Sequence, residues 1–328
     1  MRLAIKVRAP GAGGGWLALA LVSAACSGGT GDPKGDSTDF GPAGDCPISH
    51  DVNDGGVLTQ TLISTVLSAQ WTNLDAPARA WFEGETSGAH GATPETTGGH
   101  ALLLGTVADE QVTVQVEFDP DGDRRCSEPV VATTGPLPPS LPELVQSLHD
   151  ADRAVDGSLV APIITQSGSY VVVLDSLTRP VWVLQTDGTI FRARLSRDHT
   201  AVLYFSGAPG PGAIGAIHRT TLDGMTTTDT VATDVHTDFD ELEDGSYVTL
   251  TWDVREFQDG DTTRRLLGDA VSVVNPDGDT TPVWNAFDHF TVDLTQEADC
   301  ASPAEKSHTA HGRRRYLWAA PADVGISR

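Results

Sequence analysis

The sequence predicts an all-β protein in which a small β-sandwich precedes a partial β-propeller of about three sheets. Three observations support this prediction. Apolar residues occupy every second position in several short segments, and Asp-Gly turns follow these segments repeatedly. No segment shows the periodicity of an amphipathic helix, which would place apolar residues about 3.6 positions apart.

Residues 46–142 are predicted to form the sandwich. Its clearest strand is residues 112–118, where Val, Val, Val and Phe alternate with polar side chains before a Pro-Asp-Gly turn. Residues 130–139 resemble the last strand and proline-rich exit of fibronectin type III and immunoglobulin-like modules. Further strands are predicted at Leu58–Leu67, Ala78–Phe82 and Ala101–Val107.

Residues 143–297 repeat a different unit, made of a central apolar strand, a loop and a hairpin closed by Asp-Gly. The glycines of the closing turns, Gly188, Gly224 and Gly278, lie 36 and then 54 residues apart. The longer interval is attributed to an insertion at Arg255–Arg265. Repeats of about 40–50 residues with several strands each are typical of propellers. The central strands are predicted at Tyr170–Leu174, Ala201–Phe205 and Tyr247–Trp252.

Residues 1–25 have the composition of an export signal. Basic residues precede a short apolar stretch, Trp16–Val22, which is about half the ~20 residues that a membrane-spanning helix needs. Small residues at 23–25 precede Cys26, and this arrangement resembles a bacterial lipobox. We therefore expect a lipoprotein signal peptide and lipidation of Cys26, with ordinary cleavage as the alternative.

Residues 26–45 are rich in Gly, Ser, Asp and Thr, which is the composition of a flexible linker. Ser27 follows the lipidated cysteine, as in lipoproteins sorted to the outer membrane. The expected location is therefore the outer membrane of a Gram-negative bacterium, facing the periplasm or the cell surface. The lipid anchor makes the membrane the first predicted partner.

The chain is strongly acidic, with 45 Asp and Glu residues against 21 Lys and Arg and a net charge of −24. Such a charge repels the phosphate backbone of nucleic acids, so no nucleic-acid partner is expected. An acidic surface keeps exported proteins soluble, and any site for an anion would need its own local cations.

The four cysteines indicate a disulfide rather than a metal site. Once Cys26 is assigned to the lipid anchor, Cys46, Cys126 and Cys300 remain, and export permits a disulfide. Cys46 and Cys126 bracket the sandwich and are the predicted pair. No Cys-x-x-Cys or Cys/His spacing suggests a metal, and no nucleotide fingerprint suggests a cofactor.

Residues 234–239 read Asp-Val-His-Thr-Asp-Phe, Asp244-Gly245 forms a turn, and residues 275–290 combine Asn-Pro-Asp-Gly with Trp and further aromatics. These motifs resemble the bacterial aryl-sulfate sulfotransferase family, whose blades carry a His-His-Asp-Phe signature. The resemblance covers most of residues 50–297 and corresponds to the N-terminal half of a family member. It implies transfer of a sulfuryl group from an aryl sulfate to a phenol, through a histidine and without a nucleotide.

The resemblance assigns the catalytic role to His236, with Asp238 orienting its imidazole. Thr237 replaces the second histidine of the family signature. A hydrogen-bonded His-Asp pair that caps the strand is the structural alternative. His289 is expected to pack or lie exposed, and Arg255 to pair with acids.

Residues 298–328 become basic at Arg313–Arg315 and depart from the family pattern, as an out-of-frame tail would. The resemblance makes His308 a further catalytic candidate, as the remainder of the family's Trp-x-His-x-Asn motif, although the asparagine of that motif is absent here. A genuine basic, anion-binding tail is the other interpretation. Because three blades cannot close a ring, the sequence predicts a truncated enzyme of the family. The alternative function is a non-catalytic, membrane-anchored binding or scaffold lipoprotein.

Overall fold

The protein is all-β, and its antiparallel sheets stay open. The computed structural model describes residues 5–8, 46–49, 57–72, 76–118, 124–147, 157–208 and 210–292. Within these residues the one helix, α1 (Ala286–His289), is a single turn. Asn285 caps it by accepting a hydrogen bond of 2.9 Å from the Phe287 N–H. The predicted fold class is therefore confirmed at the level of secondary structure.

The first strand, β1 (Ile5–Arg8), lies inside the predicted export signal. It pairs antiparallel with Glu143–Gln146, with Ile5 opposite Gln146. Ile5 and Val7 alternate with Lys6 and Arg8, and this two-residue period suits a strand. An export signal is not expected to form a fold element, so this strand was not predicted from the sequence. Removal of the signal would take this pairing away.

The next region contains two antiparallel sheets. A three-stranded sheet has the order β2-β3-β6, and a larger sheet has the order β5-β4-β7-β8 with β9 also paired to β7. The strands are β2 (Val57–Gln60), β3 (Leu67–Gln70), β4 (Ala78–Gly84), β5 (His90–Ala92), β6 (His100–Leu103), β7 (Gln111–Phe118), β8 (Arg125–Cys126) and β9 (Val130–Thr133).

These two sheets share one apolar core. Strand β7 shows why: Val112, Val114 and Val116 are buried, whereas Gln111 and Thr113 are exposed. The two-residue period seen in the sequence therefore selects the face that points inward. The buried members of this core are Leu67, Ala69, Trp71, Ala78, Ala80, Leu103, Val112, Val114, Val116 and Phe118.

The strand predicted at Leu58–Leu67 is divided in the structure, because a turn at residues 61–66 separates β2 from β3. The Thr61 hydroxyl donates to Ile63 O and Val66 O, both at 3.0 Å, and so stabilises the turn. Ile63 and Val66 are fully buried in a second core, among residues of the sheets that follow in the chain. Three apolar residues of this segment are buried, but they belong to two cores: Leu67 lies in the core of the first two sheets, and Ile63 and Val66 lie in the second core.

Cys46 and Cys126 form a disulfide, and this is the pair expected from the sequence. Two backbone hydrogen bonds join the same two segments: Ser49 N–H donates to Cys126 O at 2.8 Å, and Cys126 N–H donates to Pro47 O at 2.9 Å. The bond links the start of the folded region to β8, across a sequence separation of 80 residues.

Strand β10 (Glu143–Gln146), the partner of β1, precedes three antiparallel sheets, each of which follows the order of the chain. The first is β11 (Leu159–Thr165), β12 (Gly168–Leu174) and β13 (Pro180–Thr186). The second is β14 (Ile190–Leu195), β15 (Ala201–Gly207), β16 (Ile214–Thr221) and β17 (Thr227–Thr233). The third is β18 (Val235–Glu241), β19 (Tyr247–Asp259), β20 (Thr262–Val274) and β21 (Thr280–Asn285).

The predicted central strands are confirmed, and so are the hairpin turns at Gly224 and Gly278. The hairpin predicted at Gly188 is wrong, because this turn connects β13 to β14, which belong to different sheets. Each predicted strand is an inner strand of its sheet, namely β12, β15 or β19. The glycines of the Asp-Gly turns adopt left-handed conformations, with φ of 84° at Gly188, 74° at Gly224 and 92° at Gly278. Glycine adopts this conformation without a steric penalty, which explains why it recurs at these positions.

The proposed insertion at Arg255–Arg265 is not a loop. It extends β19 and β20 into one long hairpin, in which Val254 pairs with Leu267 and Asp259 pairs with Thr262. The longer repeat interval therefore adds strand length. Ladder pairing continues along the whole hairpin, from Tyr247 opposite Val274 to Asp259 opposite Thr262.

The described residues form two compact units. The first unit contains the described residues up to Ala208 and those in Ala216–Thr230. The second unit contains the described residues in Pro209–Gly215 and those from Val231 onward. The predicted boundary at residue 143 thus falls within the first unit. The second unit contains the sheet β18–β21, which carries the residues of the predicted site.

Candidate functional site

His236 lies on an irregular part of β18. Val235 pairs with Thr251 and Phe239 pairs with Thr249, so three residues of β18 stand opposite the single residue between those partners. The residues on either side of the histidine region, Asp234 and Thr237, have positive φ angles of 61° and 56°. Bulges and left-handed conformations of this kind are enriched where a strand presents a functional side chain.

Three side chains surround the His236 imidazole. The ring stacks on Trp252, with a centroid distance of 3.9 Å and an interplanar angle of 23°. Nδ1 lies 2.9 Å from the Thr237 hydroxyl, and Nε2 lies 3.3 Å from Asp269 Oδ1. Trp252 and Asp269 are cross-strand partners on β19 and β20, so the sheet register places both beside the histidine.

The carboxylate beside Nε2 is therefore Asp269. Asp238, the acid predicted from the family signature, accepts a hydrogen bond of 2.9 Å from the Phe239 N–H. The bulge changes the direction of β18 between His236 and Asp238, and sequence spacing alone could not show this. The orienting role of Asp238 stays a prediction, whereas the position of Asp269 is an observation.

The two ring nitrogens have different surroundings. Nε2 is buried and has no partner of hydrogen-bond geometry among the described residues, so Asp269 acts on it as a nearby charge. Nδ1 faces the hydroxyl of Thr237, which is an exposed residue. A carboxylate near Nε2 favours the tautomer with its proton there, which leaves the lone pair on Nδ1.

Burial lowers the pKa of His236 below its ordinary value of 6.5, and the negative charge of Asp269 opposes that shift without reversing it. The imidazole is therefore neutral at neutral pH. Only the neutral ring has a lone pair available for nucleophilic attack, so its environment preserves the reactive form.

This lowered pKa predicts a pH dependence of stability. Below about pH 6.5 the unfolded chain protonates its histidine while the folded site resists, so the stabilisation is present above 6.5 and is lost as pH falls through the folded pKa. We expect His236→Gln to reduce the fall in melting temperature between pH 7 and pH 5. Thermal unfolding of both chains across that range measures it. The matched control is His289→Gln, and an equal effect of both substitutions would contradict the assignment.

Arg255 is an ion-pair partner, as expected from the sequence. Its guanidinium contacts Asp253 Oδ2 at 2.8 Å and Asp288 Oδ1 at 2.7 Å, and it lies over the Phe287 ring at 5.5 Å. Asn285 also donates to Asp253. Two carboxylates therefore neutralise this cation, which makes it a poor site for a sulfate ester.

His289 is exposed and stacks on Trp284, with a centroid distance of 5.2 Å and an interplanar angle of 5°. His308 and Cys26 lie outside the described residues, as does the linker at residues 27–45. Sequence reasoning missed Trp252 and Asp269. The signal that would have found them is the pairing of β19 with β20 on either side of the Asp-Gly turn at Gly260.

Within the described ranges, no cluster of three or more His, Cys, Asp or Glu residues is arranged to hold a metal ion. No helix among these residues is long and apolar enough to cross a membrane. Comparison with protein-family models gives no match to the chain. Comparison with curated proteins gives none either.

Proposed function

We propose that the protein is an exported, arylsulfotransferase-like lipoprotein that transfers a sulfuryl group from an aryl sulfate to a phenol through His236. The observation that carries the proposal is the environment of this imidazole. It is neutral, stacked on Trp252, held on a strained bulge and accompanied by the carboxylate of Asp269. A nucleophilic histidine needs a neutral imidazole held in one orientation by its neighbours, and these contacts supply both.

In the first half-reaction, the lone pair on His236 Nδ1 forms a bond to the sulfur of the aryl sulfate. The bond between sulfur and the phenolic oxygen breaks, and the phenolate leaves with the bonding electrons. The ring becomes cationic as it accepts the sulfuryl group, and Asp269 at 3.3 Å from Nε2 stabilises this charge. In the second half-reaction the oxygen of an acceptor phenol bonds to the sulfur, the bond between sulfur and Nδ1 breaks, and the neutral imidazole is released. The acceptor's proton passes through solvent to the phenolate that left in the first half-reaction.

The strand order supports the proposed architecture. Three successive antiparallel sheets in chain order, two of them four-stranded, have the strand pattern of propeller blades. The two preceding sheets share one core, as the halves of a sandwich do. We therefore propose an immunoglobulin- or fibronectin-like sandwich followed by a partial propeller of about three blades.

The anchoring part of the proposal rests on the sequence. The basic and apolar segments before Cys26 and the polar linker after it favour attachment of the folded part to the outer membrane through lipid. The folded part would then face the periplasm or the cell surface, where small phenols and aryl sulfates can reach it.

The experiment is a transfer assay with a chromogenic aryl sulfate and added phenol. We expect release of the chromophore that depends on the acceptor, and a fall of at least about 100-fold in His236→Ala, because the substitution removes the covalent intermediate. His289→Ala is the matched control, since this histidine also stacks on a tryptophan of the same unit. Equal activity in His236→Ala and the unsubstituted chain would contradict the proposal.

A second candidate is a non-catalytic binding or scaffold lipoprotein with the same anchor and fold. One observation favours it: the His236 side chain is only 12% exposed, and its Nε2 is buried against Asp269. A packed histidine of this kind can stabilise the bulge without reacting. The absence of turnover in a chain whose unfolding is cooperative would select this candidate.

A further inference from the structure

We propose that Ser206, His218 and Asp229 form a nucleophile–base–acid triad that reacts with neutral carboxylic esters. The three residues lie on the adjacent strands β15, β16 and β17 of the first unit. They are separate in sequence and carry no motif that identifies them. The sheet brings them into one row.

The distances match those of a hydrogen-bonded catalytic triad. Ser206 Oγ lies 2.6 Å from His218 Nε2, and His218 Nδ1 lies 2.7 Å from Asp229 Oδ1. Because the Asp229 carboxylate can only accept a hydrogen bond, Nδ1 carries the proton. Nε2 then accepts from the Ser206 hydroxyl, which is the direction that a general base requires.

The histidine is held in place by its neighbours. Its ring stacks on Tyr204, with a centroid distance of 4.5 Å and an interplanar angle of 22°. Beside the histidine, a further polar contact joins β16 to β17, since Thr220 Oγ1 lies 2.8 Å from Thr227 Oγ1. Stacking and the bond to Asp229 together fix the orientation of the imidazole.

The triad is open to substrate. Ser206 is half-buried, the His218 side chain is 17% exposed and the Asp229 side chain is 56% exposed. A small molecule can therefore approach the serine without unfolding the sheet. A fully buried polar row would not allow this.

The charges favour an uncharged substrate. Arg192 pairs with Phe205 and Arg194 with Leu203, which places both arginines on the face of the sheet opposite Ser206. The carboxylate of Asp229 contacts His218 on the same face as Ser206, and its negative charge repels anions. Neutral esters are thus the class that fits this row.

The reaction balances with water as the second reactant. Ser206 Oγ bonds to the ester carbonyl carbon while its proton passes to His218 Nε2. The imidazolium returns that proton to the departing alkoxide as the carbon–oxygen bond breaks. Water then attacks the acyl-serine, gives its proton to Nε2, and releases the carboxylic acid as the proton returns to Ser206.

The backbone N–H of Gly207, which follows the nucleophile Ser206, is not free to stabilise an oxyanion, so we expect ester hydrolysis to be slow. Gly207 N–H donates to Thr189 O at 3.2 Å, so it is already engaged when an oxyanion forms. A covalent probe is therefore a better test than steady-state hydrolysis, because it reports the nucleophilicity of Ser206 alone.

The test treats the purified full chain with a biotinylated fluorophosphonate and locates the adduct by peptide mass spectrometry. We expect labelling at Ser206, none in Ser206→Ala, and a labelling rate at least about 100-fold lower in Asp229→Asn, because that change disrupts the general base. Thr228→Val is the matched control on the same strand, since Thr228 is exposed and lies on the opposite face from Asp229, and its labelling should equal that of the unsubstituted chain.

Two outcomes would overturn the proposal. The first is no adduct at Ser206 in a chain with an intact cooperative unfolding transition, under conditions that label a known serine hydrolase. The second is labelling at Ser206 that is equal in Asp229→Asn and the unsubstituted chain. Either result would make the row a structural contact between strands.

Discussion

Loss of the Cys46–Cys126 disulfide is expected to lower the free energy of unfolding by about 4 kcal/mol. The bond joins residues separated by 80 positions, so it restricts a long loop of the unfolded chain. Loop entropy of that length corresponds to roughly 4–5 kcal/mol, and relaxation of the folded state reduces the observed effect. The effect is large compared with the roughly 5–15 kcal/mol by which domains are stable.

The comparison that isolates this effect is the double variant Cys46→Ala/Cys126→Ala against the unsubstituted chain, by chemical denaturation. Cys300→Ala is the matched control, because it removes a cysteine without removing this bond. We expect a lower denaturation midpoint in the double variant alone. Equal midpoints in all three chains would show that the bond contributes nothing to the stability of the first unit.

The second large effect is expected at Glu110, which is fully buried. Its carboxylate accepts hydrogen bonds from Thr86 N–H at 2.8 Å, from Val107 N–H at 2.8 Å and from Ser87 N–H. Glu110→Ala leaves these three amides without their acceptor. At about 1–3 kcal/mol for each buried unsatisfied donor, and allowing for water entry, we expect a loss of about 3 kcal/mol.

The pKa of Glu110 gives the same substitution a pH signature. Burial raises the pKa, but the hydrogen bonds from Ser87, Val107 and Thr86 outweigh it, so the pKa lies below its ordinary value of 4.5. Its contribution is present above pH 4.5 and is lost as pH falls through the folded pKa. Denaturation midpoints at pH 7 and pH 3 measure both effects.

Glu83→Ala is the matched control, since Glu83 is an exposed residue of the same region. It should change the midpoint little at either pH, because an exposed carboxylate loses no buried partner. If Glu83→Ala and Glu110→Ala were equally destabilising at pH 7, the network of Glu110 would not have the stabilising role assigned to it.

The parts of the fold that sequence predicted well depend on local rules. Strand β7 alternates because one face is buried, and Gly188, Gly224 and Gly278 occur where the backbone is left-handed. Both signals are visible within a few residues. The division of Leu58–Leu67 was missed because Ile63 and Val66 are apolar for a different reason, namely burial in a second core.

The site was predicted less completely because its geometry depends on strand register. His236 could be chosen from its motif, but Asp269 reaches it only through the pairing of β19 with β20. The row of Ser206, His218 and Asp229 depends in the same way on the order of β15, β16 and β17. Long-range pairing of this kind leaves no short motif in the sequence.

The most direct test of the central claim is detection of the covalent intermediate on His236. The purified chain is mixed with an aryl sulfate in the absence of a phenol acceptor, quenched under alkaline conditions and digested for peptide mass spectrometry. The account predicts a sulfuryl group on the peptide that contains His236, removed by later addition of phenol and absent in His236→Ala. Transfer to phenol with no sulfuryl group on His236 at any time after mixing would contradict it.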